Sequence, residues 1–320
     1  MFDIITIGGA TKDFFILTNK GEIVRNKKSL TKQKLLAFEY GAKIYTNELY
    51  TCLGGGACNT AVGFSRLGLK IAAKICVNEQ LEGEWIKKVL IKEKVSVKYI
   101  KNNTKEPSGF SSIVINSDSK SRDHIAFCCR GTNKFLKINP RESWKTKWIY
   151  LSSFSGKEWV LQFKNIVKIV KKKNIKLAFN PGFRQIESGI NKLKDILKLT
   201  EVLIVNRDEA IELVLSKHHY NQAPHIKELL SKLYKYCPNL IIITDGSRGV
   251  YAYDGKEFYF EKAKKVKAVD TTGAGDAFSS GFIGGLVKNG DIKKSLKLGI
   301  KNGGSVVTKM GAQKGLIRNL

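Results

Sequence analysis

For about 170 residues the chain alternates short apolar runs with segments whose apolar positions recur every three or four residues, and no other feature restricts the fold as much. The runs fall at 3–8, 71–77, 112–115, 147–151, 176–180, 202–206, 240–244 and 249–253, and read as strands. Between them, 57–67, 83–92, 157–172, 208–215 and 226–236 carry the helical spacing. Strands buried on both faces and joined through helices make a mainly parallel sheet, so the expected class is α/β, doubly wound. Two stretches break the rhythm. Residues 14–48 and 108–132 have no clear helix, and in the second, 109–115 and 124–129 read as strands around a polar turn at 116–120. They are expected to form a small β-rich lid over the C-terminal strand edges, where open α/β sheets bind ligands. The core is then 1–13, 49–107 and 133–320; a pair of surface excursions is the plainer alternative.

Composition narrows the setting. The 320 residues are 42% hydrophobic, enough for one large core, with no 18-residue apolar run and no basic-then-apolar leader at the start. A cytoplasmic protein without a membrane partner is expected. Six cysteines without C-x-x-C spacing fit free thiols in a reducing compartment. The net charge of +28 is extreme, but its lysines are spread along the chain without interleaved aromatics, so no specific nucleic-acid partner is expected. The four histidines, His124, His218, His219 and His225, have no metal-ligand pattern and read as surface or structural residues.

The chemistry concentrates in Asp270-Thr271-Thr272-Gly273-Ala274-Gly275-Asp276-Ala277-Phe278, which opens a helical pattern. Small residues at a helix start leave backbone N–H groups bare where the dipole favours negative charge, which makes an anion hole of Gly273, Ala274 and Gly275. A carboxylate directly behind them would repel a phosphate unless it had another use. Accepting the proton of an attacking hydroxyl is that use, and it makes Asp276 a general base. Read alone, the same residues could be a tight turn with a helix cap. No Gly-x-x-x-x-Gly-Lys-[Ser/Thr] loop, no third glycine of a dinucleotide fingerprint after Gly54-Gly55-Gly56 and no Gly-x-Ser-x-Gly elbow occurs.

This segment resembles the C-terminal signature of the ribokinase family, the PfkB carbohydrate kinases. Gly54-Gly55-Gly56-Ala57-Cys58-Asn59-Thr60-Ala61, running on to Arg66-Leu67-Gly68, resembles the N-terminal one, about 215 residues earlier and in the family's order. The resemblance spans nearly the whole chain. It implies an ATP- and Mg²⁺-dependent kinase acting on a hydroxyl of a small sugar, or of a nucleoside, with a homodimer through the lid as a further implication. It also implies roles. Asp13, Gly54, Gly55 and Asn59 would hold the acceptor, with Arg130 near the lid touching it or forming a structural ion pair. Asn206 and Glu209, otherwise a cap with an acidic first turn, would organise Mg²⁺ through water. Thr244, Gly246 and Gly249, otherwise a hairpin turn, would hold nucleotide phosphates, with Asn180 near phosphate and Asn302 near adenine. Asp270 and Thr272 would border a site for a monovalent cation such as K⁺. Gly56 and Gly315 stand where ribokinases proper tend to have a lysine and a hydroxyl residue, which leaves ribose specificity and cation dependence open. The alternative of another class is a non-catalytic basic protein that binds nucleic acid.

Overall fold

The computed structural model describes residues 1–26, 34–46, 48–116, 124–215 and 224–318. From the N-terminus come β1 (Phe2–Ile7), β2 (Thr11–Thr18), β3 (Glu22–Arg25), β4 (Lys34–Ala37), β5 (Leu49–Gly54) and α1 (Gly56–Arg66). Next are β6 (Ile71–Lys74), β7 (Cys76–Asn78), α2 (Leu81–Lys92), β8 (Lys101–Asn103), β9 (Gly109–Asn116), β10 (His124–Cys129) and β11 (Thr146–Leu151). Then follow α3 (Trp159–Lys173), β12 (Lys176–Phe179), α4 (Phe183–Glu187), α5 (Ile190–Leu197), β13 (Val202–Asn206), α6 (Arg207–Leu215) and α7 (Ile226–Tyr234). The chain closes with β14 (Leu240–Thr244), β15 (Val250–Tyr253), β16 (Phe258–Glu261), α8 (Ala274–Asn289) and α9 (Ile292–Val306). His218 and His219 lie outside the described residues, as does most of the turn at 116–120.

The main sheet has eight strands in the order β16-β15-β14-β13-β12-β11-β1-β6; β14 through β6 run parallel, and β15 and β16 add an antiparallel edge. Alternate residues of each strand feed two cores. Ile5, Ile149, Leu177, Leu203 and Ile241 pack under α3, α5, α6 and α7, while Ile4, Tyr150, Ala178, Ile204 and Ile242 pack under α1, α2 and α8. Burial on both faces explains why these strands read as unbroken apolar runs. The direction of winding reverses between β1 and β11, which opens a crevice at their C-terminal ends.

A four-stranded sheet, β10-β9-β2-β5, stands over those ends. Its register sets Asp13 beside Ser111 on one flank and Cys52 on the other. The core boundary read from sequence shifts here: Leu49–Gly54, assigned to the core, pairs antiparallel with β2, and Thr11–Asp13 already belong to this sheet. β9 and β10 match the strands expected at 109–115 and 124–129, whereas β2 and β5 contribute little to a small core made mostly of Phe15, Ile113 and Ile115 and so gave no strand signal of their own. The run at 71–77 divides at Ile75, after which β7 leaves to pair with β8. Helices α5 and α9 were not evident from the sequence. They bury narrow stripes, Leu193, Ile196 and Leu197 in one and Leu296, Gly299 and Val306 in the other, between exposed lysines.

Lys74 ends β6 with its side chain fully buried, its ammonium 2.6 Å from Glu142 Oε2 and 5.8 Å above the Trp144 ring. Burial pulls its pKa down and the carboxylate pulls the other way. Glu142→Ala should therefore cost about 2–4 kcal/mol by stranding a buried charge. A lower urea midpoint at constant m would register it, and a double change to Lys74→Met with Glu142→Leu should recover most of the loss.

Candidate active site

Helix α8 starts at the crevice because of the turn before it. The buried Asp270 accepts from the Thr272 N–H and the Gly311 N–H, both at 2.8 Å, and so ties the turn to the 310–313 loop. Gly273 then turns the chain into the helix from a left-handed conformation (φ 75°), and a Cβ there would stand 2.3 Å from that of Ala312. Gly273, not Asp276, is the capping position, and it has no side chain to cap with. The Gly275 and Asp276 N–H groups have no acceptor four residues back and face out of the helix, while the Ala274 N–H donates to the Thr271 carbonyl at 3.3 Å.

Gly273, Gly275, Asp276 and Ser279 form one wall of a cleft of about 190 Å³, and Asn180, Ile204, Val205, Asn206, Glu209 and Thr244 form the other. A larger hollow of about 420 Å³ lies at the opposite, N-terminal end of the strands, beside Trp148, Glu201 and Leu240, and contains none of the motif residues. Size does not mark the candidate site here; the start of α8 and the Asp276 carboxylate do.

Asp276 is enclosed by protein apart from its opening to the cleft. Burial pushes its carboxyl up to about 6, the charge of Asp13 adds to this, and the Asn59 amide opposes it by donating to Oδ2 at 2.8 Å. Asn59 is on the first turns of α1, placed there by the Gly54-Gly55 entry. Asp13 is 6% exposed, and burial raises its pKa against hydrogen bonds from Thr11 and Ser111. Its Oδ1 is buried without a partner, an unmet acceptor that a ligand hydroxyl would satisfy. Gly54 leaves the space for that carboxylate: a Cβ on it would lie 1.8 Å from Asp13 Oδ2.

Across the cleft, Asn206 and Glu209 form a reciprocal capping box, the Asn206 N–H donating to Glu209 Oε2 and the Glu209 N–H to Asn206 Oδ1, each at 2.8 Å. The capping role left open by the sequence is thus real, and it holds both groups at the cleft edge. Burial and the neighbouring Glu212, Asp208 and Asp276 carboxylates push Glu209 up to about 7. Among the described residues no cluster of three His, Cys, Asp or Glu side chains could hold a metal ion alone. The fit to Mg²⁺ is of another kind: acidic groups crowded enough to retain protons, beside an anion hole, suit a hydrated cation shared with phosphates. Asn180 reaches the cleft while donating to the Ile204 carbonyl at 2.8 Å.

Asn302, Gly249, Gly246 and Arg130, expected at the site, are not brought to the cleft. Asn302 is 1% exposed and spends its amide inside the fold, donating to Ala277 O at 2.7 Å and accepting from the Ile317 N–H at 3.0 Å; it pins α9 to α8. Gly249 packs against β16, where a Cβ would lie 2.4 Å from the Glu261 carbonyl. Arg130 is exposed where β10 ends, and no described contact ties it to Asp13 or Asp276. In the turn at 244–249, Asp245 pairs with Arg248 through two short bonds, and Thr244 alone lines the cleft. Two residues with no role in the sequence reading do belong here. His124, expected at the surface or in a structural role, reaches from β10 to within 3.5 Å of Thr271 Oγ1 and 3.4 Å of Thr272 Oγ1. Gln313 meets Asn59 Oδ1 at 2.9 Å.

A doubly wound sheet, a phosphate-ready helix start and an aimed carboxylate define a phosphoryl-transfer class of protein. Residues 27–319 match the pfkB family carbohydrate kinase, and the chain belongs to that family, phosphotransferases with an alcohol group as acceptor. An uncharacterized sugar kinase of Archaeoglobus fulgidus is 28% identical over 259 residues, 81% of this chain and 100% of its own length. The crystal structure of Methanocaldococcus jannaschii nucleoside kinase, an archaeal member of the ribokinase family, superposes with a TM-score of 0.77 at 21% identity, covering 100% of this chain and 95% of that one. Arabidopsis thaliana ribokinase complexed with ribose and ATP gives 0.77 at 18% identity, covering 99% and 96%. Among the described residues no helix is long and apolar enough to cross a membrane.

Proposed function

We propose that this chain transfers the γ-phosphoryl group of ATP to a hydroxyl of a small sugar, with Asp276 as general base. The observation that carries the reading is the Asp276 carboxylate: it is held by Asn59 at 2.8 Å, stands next to free helix-start amides, and faces Asn206 and Glu209 across the cleft. Asp13, with one oxygen unpartnered, anchors the acceptor alongside Gly54, Gly55 and Asn59. Asp276 takes the proton of the attacking hydroxyl, and the amides at Gly273–Gly275 meet the charge that develops on the transferred group. Asn206 and Glu209 would hold Mg²⁺ through water, and bound there it supplies charge neutralisation of the phosphates. A K⁺ ion beside Asp270 and Thr272 would act on the turn that shapes the anion hole. The four-stranded sheet serves as the lid, and its exposed apolar residues Leu49, Phe110 and Phe127 suit a homodimer contact.

A coupled assay of ADP release across a panel of sugars and nucleosides, with and without Mg²⁺, tests the reading and decides between the two acceptor classes. Salt-sensitive binding to nucleic acid without any acceptor-stimulated ADP release would favour the non-catalytic alternative. The pH dependence is a second check. A base must be ionised to work, and Asp276 sits at about 6, so acceptor kcat/KM should be level above that pH and fall about tenfold per unit below it. A profile still level at pH 5 would remove Asp276 from the role.

A further inference from the structure

The side-chain amides of Asn59 and Gln313 form a chain that begins at a backbone carbonyl. Leu53 O can only accept, and Gln313 Nε2 lies 3.0 Å from it, so the Gln313 amide has one permitted orientation with its NH₂ toward Leu53. That same NH₂ lies 2.9 Å from Asn59 Oδ1. Asn59 must therefore turn its carbonyl to Gln313 and its own NH₂ to Asp276 Oδ2, 2.8 Å away. Gln313 is itself fixed. Its main-chain carbonyl accepts from Arg66, whose guanidinium is paired with Glu93 at 2.6 Å, and two residues earlier the Gly311 N–H is bound to Asp270.

We propose that Gln313 is a positioning residue that dictates the orientation of the Asn59 amide and, through it, the proton affinity of Asp276. An asparagine free to rotate could present Oδ1 to Asp276 instead. That arrangement repels the carboxylate and accepts a hydrogen bond from the protonated acid, so it favours the form that cannot act as a base. Gln313 removes this alternative with the Leu53 carbonyl as its reference. The inference rests on Asp276 being the base, and it adds a part of the chain 254 residues from Asn59 to the catalytic apparatus.

The test is the acceptor kcat/KM profile from pH 5 to 9 for the parent, Gln313→Met and Gln313→Glu, each also in an Asn59→Ala background, with Asp276→Asn as the control. Methionine fills the same space without directing the Asn59 amide. Its acid limb should move from about 6 to higher pH by about one unit, the worth of one charge-assisted hydrogen bond, and its deficit should narrow toward pH 9. Glutamate offers only acceptors to Leu53 O and Asn59 Oδ1, so its limb should move at least as far. In the Asn59→Ala background the Gln313→Met change should shift the limb no further, because the intermediary is gone. If both Gln313 variants keep the parental limb and lose activity equally at every pH while Asp276→Asn is inactive, Gln313 is only structural and the proposal fails. If Asp276→Asn stays active, the assignment of the base fails first and the inference goes with it.

Discussion

Asp276→Asn is expected to lose on the order of 10²–10⁴-fold in kcat, roughly 3–5 kcal/mol of transition-state stabilisation, while ATP affinity is retained or tightened. The amide keeps the shape of the acid, and its oxygen can still accept from Asn59 Nδ2, so the geometry at the start of α8 survives. What it lacks is a site for the acceptor's proton. The phosphates meet backbone amides, and removal of a neighbouring negative charge favours them. A capping role predicts the opposite, full activity, but Gly273 occupies the capping position. Stability supplies an independent readout. Asp276 is raised to about 6 from 3.8, so the folded state prefers its protonated form. The associated stability is complete below pH 3.8 and is lost as the pH rises through 6. At pH 8 the variant should then be more stable by about 1–3 kcal/mol, discounted for the opening to the cleft, and the advantage should vanish near pH 4. A slower but more heat-resistant enzyme, found by kcat and thermal melts on one preparation, would show that the parent gives up stability to keep an ionisable group buried. A variant with near-normal kcat would sink the mechanism.

The sequence revealed most where the chemistry is local. Residues 270–276 contain the turn, the anion hole and the carboxylate in one uninterrupted stretch, and 54–59 contain the close approach and the amide, so their roles could be argued from neighbours in the chain. Strands such as β13 and β14 were evident for a similar reason, since burial on both faces leaves only apolar residues. Partners brought together by tertiary structure were not evident. Gln313 is 254 residues from Asn59, and His124 is 147 residues from Thr271; no spacing rule connects them. Beyond α9 the sequence drew attention only to Gly315, for its bearing on cation dependence. Asn302 shows the same limit, because a polar residue on a helix gives no sign of whether its amide meets a ligand or, as its bond to Ala277 O does here, a carbonyl of the next helix. The shift of β5 into the small sheet has the same origin: its partner, β2, sets its place, and its own side chains do not.

Gly54 and Gly55 should respond to the same added methyl group in opposite ways. At Gly54 the nearest obstacle is the Asp13 side chain, with Oδ2 at 1.8 Å and Cγ at 2.4 Å from the new Cβ. A carboxylate can swing aside where a main chain cannot, so Gly54→Ala should fold but displace Asp13 from the acceptor pocket. Loss of charge-assisted bonds to one or two hydroxyls should lower acceptor kcat/KM on the order of 10²-fold. The KM for ATP should stay within about threefold, because nothing in the cleft between α8 and Glu209 is touched. At Gly55 the backbone itself has φ 88° and ψ 133°, a region open to glycine, and the added Cβ would meet the Gly9 carbonyl oxygen at 2.4 Å and Ala10 Cα at 2.8 Å. No side chain can yield there, so Gly55→Ala should destabilise the junction of β1, β2 and α1 by on the order of 3 kcal/mol. Its melting temperature should fall, and both substrates should suffer in proportion to the folded fraction. Steady-state constants for both substrates and thermal melts on the two variants separate the outcomes. If Gly54→Ala leaves the acceptor KM and kcat untouched, then Asp13 does not hold the acceptor, and its unpartnered oxygen has some other purpose.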